Sequence, residues 1–145
     1  MTQEQKQLLI RDLCNRVQYE PIVQVFGDWF YEPLKPYDAK LSYEMINKLK
    51  QKESDYWIKP YLRPISAMTE KECDDLFKIL AINEEEGEYI KINDIGILRL
   101  FCVTGKDFED LDKALEYCDK HFIDYRGLIP KELALEASEN MYNFE

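Results

Sequence analysis

The sequence predicts a small α+β domain in which three to four helices pack on a short, mainly antiparallel sheet. Three observations lead there. Amphipathic stretches with their own N-terminal caps alternate irregularly with short β-branched runs, so the strand–helix–strand repeat of a parallel α/β sheet is absent. The length of 145 residues suits a single core, since chains of roughly 100–150 residues usually form one, and one domain over 1–145 is expected. With 46% hydrophobic residues, enough apolar area can be buried to offset the ordering entropy, which excludes a disordered chain.

The first helix is predicted over 3–17. Thr2 and Gln5 form a capping-box pattern, and Ile10, Leu13, Cys14 and Val17 recur at helical spacing as its apolar stripe. Pro21 stops it. Ile22, Val23, Val25 and Phe26 read as a short strand ended by Gly27–Asp28, and Trp29, Phe30 and Tyr31 resume the pattern before Pro33 and Pro36 break it. A second helix is predicted over 38–52, with Asp38 as N-cap and Leu41, Met45 and Leu49 on one side. Lys40, Lys48, Lys50 and Lys52 line the other. Residues 56–63 read as an edge strand or a rigid connector, because Pro60 and Pro64 disfavour helix in the residue before each.

Thr69-x-x-Glu72 is a second capping box, followed at helical spacing by Cys73, Leu76, Phe77 and Leu80. Met68 and Cys73 occupy the N′ and N4 positions of a hydrophobic staple. Glu84, Glu85 and Glu86 with Gly87 form a charged loop. Residues 88–92 alternate as a strand, Asn93–Asp94 marks a turn, and 95–103 reads as a buried strand, although so short an apolar run also fits a helix segment. The last long helix is predicted over 108–122. Asp107 caps it with Asp110 at N3, and Phe108, Leu111, Leu115, Cys118 and Phe122 form its seam. Arg126–Gly127 closes it, and 133–137 is a final short apolar element.

Charge is unevenly placed. Residues 1–72 hold 11 basic and 11 acidic side chains, whereas 73–145 hold 8 and 18, so the second half carries the whole net charge of −10. Such a balance excludes a general binder of the phosphate backbone, and no direct contact with nucleic acid is expected. Part of the acid is explained locally: Asp107, Glu109, Asp110 and Asp112 fall in the first turns of a predicted helix, where each is worth roughly 0.3–1 kcal/mol against the macrodipole. Residues 35–63 form the opposite pole, with seven basic and four acidic side chains.

Several chemistries have no basis in the sequence. Cys14, Cys73, Cys102 and Cys118 contain no C-x-x-C pair, and the single histidine, His121, completes no zinc pattern with them. Cys14, Cys73 and Cys118 fall on predicted apolar stripes and read as buried free thiols of a reducing compartment. No calcium loop and no glycine-rich phosphate loop is present, so no metal and no cofactor are expected. Residues 1–7 show no basic region followed by an apolar one, and no apolar run reaches the roughly 18 residues that span a bilayer. The expected location is the cytoplasm, away from membranes. His121 with Cys118 and Asp124 is the one arrangement resembling a nucleophile, a base and an orienting acid. A histidine beside Lys120 also suits a helix C-terminus, and no catalytic residue is assigned.

The expected partner surface lies in the basic, aromatic stretch and the acidic loop. Tyr56, Trp57, Tyr61 and Arg63 combine the residue types of interface hot spots in a proline-stiffened segment, where they are presented at little entropic cost. Glu84, Glu85 and Glu86 supply its acidic counterpart.

Two stretches, Lys59-Pro-Tyr-Leu-Arg-Pro-Ile-Ser-Ala-Met-Thr-Glu-Lys-Glu72 and His121-Phe-Ile-Asp-Tyr-Arg-Gly-Leu-Ile129, carry a resemblance, together with 8–16, 133–137 and Met141-Tyr142. The chain resembles a group of small uncharacterised proteins from gut bacteria and their phages over about 45 of its residues. It departs from their Gly-Leu-Ala-Leu-Glu-Ala-Pro run by carrying Glu132 and Ser138 at the Gly and Pro places. The resemblance implies a phage or mobile-element setting and no activity. The resulting expectation is a non-enzymatic protein-interaction or regulatory module whose protein partner is unidentified. The alternatives are an acidic nucleic-acid mimic that inhibits a DNA-binding protein, a homo-oligomer joined through its two charged poles, and a small enzyme of unassigned class.

Overall fold

The computed structural model describes residues 2–27, 35–51, 56–79 and 108–142. The elements run α1 (Gln3–Arg16), β1 (Ile22–Phe26), β2 (Tyr37–Lys40), α2 (Tyr43–Lys50), β3 (Trp57–Leu62), α3 (Glu70–Ile79), α4 (Phe108–Lys120) and β4 (Leu135–Glu136). Short 3-10 turns occupy Val17–Tyr19 and Ile65–Ala67. Among the described residues, four helices and a four-stranded, mostly antiparallel sheet give the α+β class expected from the sequence. The residues group by proximity into two compact units: Met1–Leu62 with Arg126–Glu145, and Arg63–Tyr125.

The first unit contains the sheet, in the order β2-β1-β3-β4. β1 begins and ends as the sequence predicts. It pairs antiparallel with β2 (Val23 opposite Ala39) and with β3 (Val23 opposite Pro60), and β4 lies parallel to β3. Alternation along β1 and β3 buries Val23, Val25, Ile58, Pro60 and Leu62 on one face and leaves Ile22, Gln24, Phe26, Trp57, Lys59 and Tyr61 half-buried on the other.

Three sequence expectations are corrected in this unit. Residues 37–40 form β2 instead of opening a helix at Asp38; the helix starts at Tyr43, with Ser42 accepting from the Met45 N–H at 3.4 Å. Pairing with β1 outweighs the local preference, because the hairpin satisfies the backbone groups of Tyr37 and Ala39 and buries the neighbouring Leu41. β3 is interior instead of an edge or connector. Its proline is tolerated for a geometric reason: the Tyr142 hydroxyl accepts from the Ile22 N–H at 2.9 Å and donates to the Tyr61 carbonyl at 2.8 Å. The facing residues 22 and 61 therefore direct their polar groups at the β1–β3 seam, and Pro60, one step along, turns its nitrogen to the other side. There β4 begins pairing only at Tyr61.

The third correction is rotational. On α1 the capping box between Thr2 and Gln5 is present, but the buried residues are Leu9, Asp12, Leu13 and Arg16, while Cys14 is exposed. Asp12 and Arg16 occupy the inner face because they bind each other and Arg126, a pairing that no apolar-periodicity argument registers.

The second unit is held by α3 and α4. Leu76, Ala114, Cys118 and Ile123 form its buried cluster, with Ile65, Met68, Ile79, Tyr117 and Tyr125 against it. α4 ends in a Schellman motif: the Ile123 N–H reaches the Cys118 carbonyl at 2.9 Å and the Phe122 N–H reaches Asp119 at 3.2 Å. The left-handed position usual for glycine is filled by Phe122, at φ 59°, so the helix stops two residues short of the predicted 122. Cys73 is half-buried and Cys118 is buried.

Other expectations lie outside the described residues: the resumed strand at Trp29, Phe30 and Tyr31, Lys52, the loop at Glu84, Glu85 and Glu86, the strands at 88–92 and 95–103 with their turn, Leu80, Cys102, and the Asp107 cap. The side chains of Phe77, Phe108 and Leu111 do so as well.

Candidate functional site

The capping box at the start of α3 is the nucleus of a larger polar cluster in the second unit. Thr69 N–H donates to Glu72 Oε1 at 2.9 Å, and Glu72 N–H donates to Thr69 Oγ1 at 3.2 Å. The Arg63 guanidinium grips the same carboxylate through both oxygens, at 2.7 and 2.6 Å, and also donates to the carbonyls of His121 and Ala67. His121 Nδ1 lies 3.0 Å from Glu72 Oε2, and its ring stacks on Tyr117 with centroids 4.1 Å apart. Tyr117 in turn donates to Asp75 Oδ2 at 3.0 Å.

Burial alone would raise the Glu72 pKa. Hydrogen bonds from Arg63, from His121 and from the Thr69 N–H outweigh it and hold the carboxyl well below its ordinary value. An ionised carboxylate only accepts, so the imidazole nitrogen facing it carries the proton. Burial and the Asp75 carboxylate push the Tyr117 hydroxyl the other way, well above the usual phenol range.

Local structure explains how these groups meet. Arg63 follows directly on β3 and forms a bridge with Ile123: its N–H donates to the Phe122 carbonyl at 2.7 Å, and its carbonyl accepts from Asp124 N–H at 2.8 Å. The left-handed turn at Phe122 aims the carbonyls of 121 and 122 at Arg63. Strain of about 1–2 kcal/mol at that residue is the cost of the arrangement.

The first unit holds a second ionic cluster. Asp12 accepts from Arg16 Nε at 2.9 Å and from Arg126 Nη1 at 2.7 Å, and the Asp12 and Arg16 side chains are both 0% exposed. The sequence assigns these three residues no ionic role; the Asp–Arg spacing of four on one helix face is the signal for Asp12 and Arg16, and nothing local marks Arg126 as their partner.

The expected partner residues are dispersed. Tyr56 is buried instead of presented, with Lys48 Nζ 5.6 Å above its ring. Trp57 and Tyr61 share the half-buried face of β3 with Lys59 between them, and Phe26 of β1 joins them, its ring 5.9 Å from Lys59 Nζ. Tyr61 donates to Asp38 Oδ1 at 2.9 Å, and burial together with that carboxylate raises its pKa. The Trp57 indole nitrogen is buried and has no hydrogen-bond partner among the described residues. Arg63 belongs to the Glu72 cluster of the other unit. Among the described residues no group of His, Cys, Asp and Glu is placed to hold a metal ion, and no helix is long and apolar enough to cross a membrane.

No protein-family model, no curated protein and no solved structure matches this chain. Its functional reading therefore rests on its own side chains.

Proposed function

We propose that the chain is a cytoplasmic, non-enzymatic protein-interaction module, regulatory in character. Its binding surface is the β1–β3 face carrying Phe26, Trp57, Lys59 and Tyr61. The observation that carries this reading is the placement of Trp57 and Tyr61 on either side of Lys59 along an interior strand. Backbone pairing with β1 along Trp57–Pro60, and with β4 at Tyr61, holds the strand beneath these large side chains before any partner arrives, which lowers the entropic cost of binding. Tryptophan and tyrosine are also the residue types that dominate interface energetics. The resemblance to small proteins of gut bacteria and their phages supports a mobile-element setting.

A nucleic-acid mimic draws less support. Asp75 and Asp119 are engaged by the hydroxyls of Tyr117 and Tyr125, and Asp119 and Asp124 are buried, so these carboxylates are not arrayed for a DNA-binding protein.

Affinity capture from a bacterial lysate, followed by mass spectrometry, tests the proposal. The native chain should retain a discrete protein that Lys59→Glu, folded by circular dichroism, fails to retain. Equal retention by both chains, or none by either, would overturn it.

A further inference from the structure

We infer that the chain forms a weak symmetric dimer through the outer edge of β2, pairing antiparallel with a second copy about Ala39. Among the described residues β2 ends the sheet, with no strand paired to its outer side. Backbone directions along it follow from the hairpin. Leu41 N–H donates to the Pro21 carbonyl at 2.9 Å, so residues 37, 39 and 41 face β1, and Asp38 and Lys40 direct their N–H and C=O groups outward. Both residues are exposed, and their side chains lie on one face of the sheet.

Charge selects the register. In antiparallel pairing of two identical edges, the outward residues can meet as Asp38 with Asp38, as Lys40 with Lys40, or as Asp38 with Lys40. The first two place like charges directly opposite, which destabilises a strand pair. The third, centred on Ala39, forms two cross-strand ion pairs and matches every outward N–H to a carbonyl, giving four backbone hydrogen bonds. This edge is self-complementary, as a twofold interface requires. Existing contacts leave room for the exchange. Lys40 is 3.9 Å from Glu20 with side chains 75% and 64% exposed, a weak surface pair, and Asp38 uses only Oδ1 for Tyr61.

A second observation bears on the same region. Tyr43, three residues beyond Lys40, is 68% exposed, the large hydrophobic left in that state among the described residues. The dimer edge adjoins the partner face through the Tyr61–Asp38 bond, but Lys40→Asp leaves that bond in place, so failure of the dimer would leave the Lys59 test untouched.

So short an edge predicts a dissociation constant on the order of 100 µM. Sedimentation equilibrium from about ten micromolar to about one millimolar reads it directly. Lys40→Asp alone and Asp38→Lys alone each set like charges opposite one another and should weaken the dimer about tenfold. An equimolar mixture of the two variants should associate at least as well as the native chain. One edge then offers two carboxylates and the other two ammonium groups, in the same register. Circular dichroism establishes that each variant folds. A native chain that stays monomeric at the highest concentration overturns the inference, as does a dimer indifferent to the single reversals or a mixture that fails to associate.

Discussion

In the unit that holds the sheet, Asp12 lies between two guanidinium groups, with Asp12 and Arg16 fully removed from water. In the other unit Glu72 lies between Arg63 and His121, whose side chains are 14% and 18% exposed. Each cluster joins chain segments far apart in sequence through one carboxylate. Arg126 is brought to a residue 114 positions earlier, and His121 to one 49 positions earlier. They differ in shielding and in the second partner. Asp12 is held out of water between two guanidinium groups, whereas Glu72 is held nearer the surface between a guanidinium and an imidazole.

Removing the two carboxylates separates the cases. Asp12→Ala leaves Arg16 charged with no water around it, and urea denaturation should show a loss of about 3–5 kcal/mol, the usual cost of breaking a buried pair. Glu72→Gln keeps the shape and leaves Arg63 near solvent, so a smaller loss of about 2–3 kcal/mol is expected. Equal losses would mean that shielding does not distinguish the clusters.

Acid sharpens the contrast. The folded-state pKa of Glu72 lies below its ordinary 4.5, so its contribution is complete above that value and is lost as pH falls through the interval beneath it. Glu72→Gln should flatten this part of the stability profile, measured by denaturation at successive pH values.

At the alkaline end Tyr142 gives the first unit a dependence of its own, beside that of Tyr117 in the second. Burial pushes the Tyr142 hydroxyl up to about 12, against the lowering effects of its hydrogen bond with Ile22 and of Arg16. Its contribution is complete below the ordinary value of 10.0 and is lost as pH rises toward 12. Tyr142→Phe should cost about 1–3 kcal/mol at neutral pH, by leaving the Ile22 N–H and the Tyr61 carbonyl unpaired, and should remove this alkaline loss.

The smallest effects concern strained turns. Glu132 and Phe122 both adopt left-handed backbone, at φ 60° and 59°. Glu132 is exposed and stands at the Gly place of the resembled run, and it keeps the conformation that glycine adopts without penalty. Glu132→Gly should therefore stabilise the first unit by about 0.5–1 kcal/mol. The same change at Phe122 relieves similar strain but removes a buried ring, for a net loss of about 1–2 kcal/mol. Thermal denaturation of the two variants should shift in opposite directions.

Local chemistry made some features legible. Both capping boxes appear where Thr2–Gln5 and Thr69–Glu72 indicate, because their partners are three residues apart and no distant contact is needed. β1 is framed by Pro21 and Gly27, each a strong local punctuation. What was missed depends on distant partners. β2 exists through β1, and β3 is interior because β4, at Leu135, pairs with it beside Tyr61. The inner face of α1 is set by Arg126. Among the expected site residues, Trp57 and Tyr61 share a face because strand alternation is local, while Tyr56 and Arg63 were drawn elsewhere by burial and by Glu72.

By itself, then, the sequence determined the α+β class, the helix caps, the first strand and the uneven charge, all consequences of short-range sterics and composition. The tertiary structure decided which polar residues are buried. Asp12, Arg16 and Glu72 tolerate removal from water only where an opposite charge meets them, and only the folded chain brings Arg126, Arg63 and His121 within hydrogen-bonding distance.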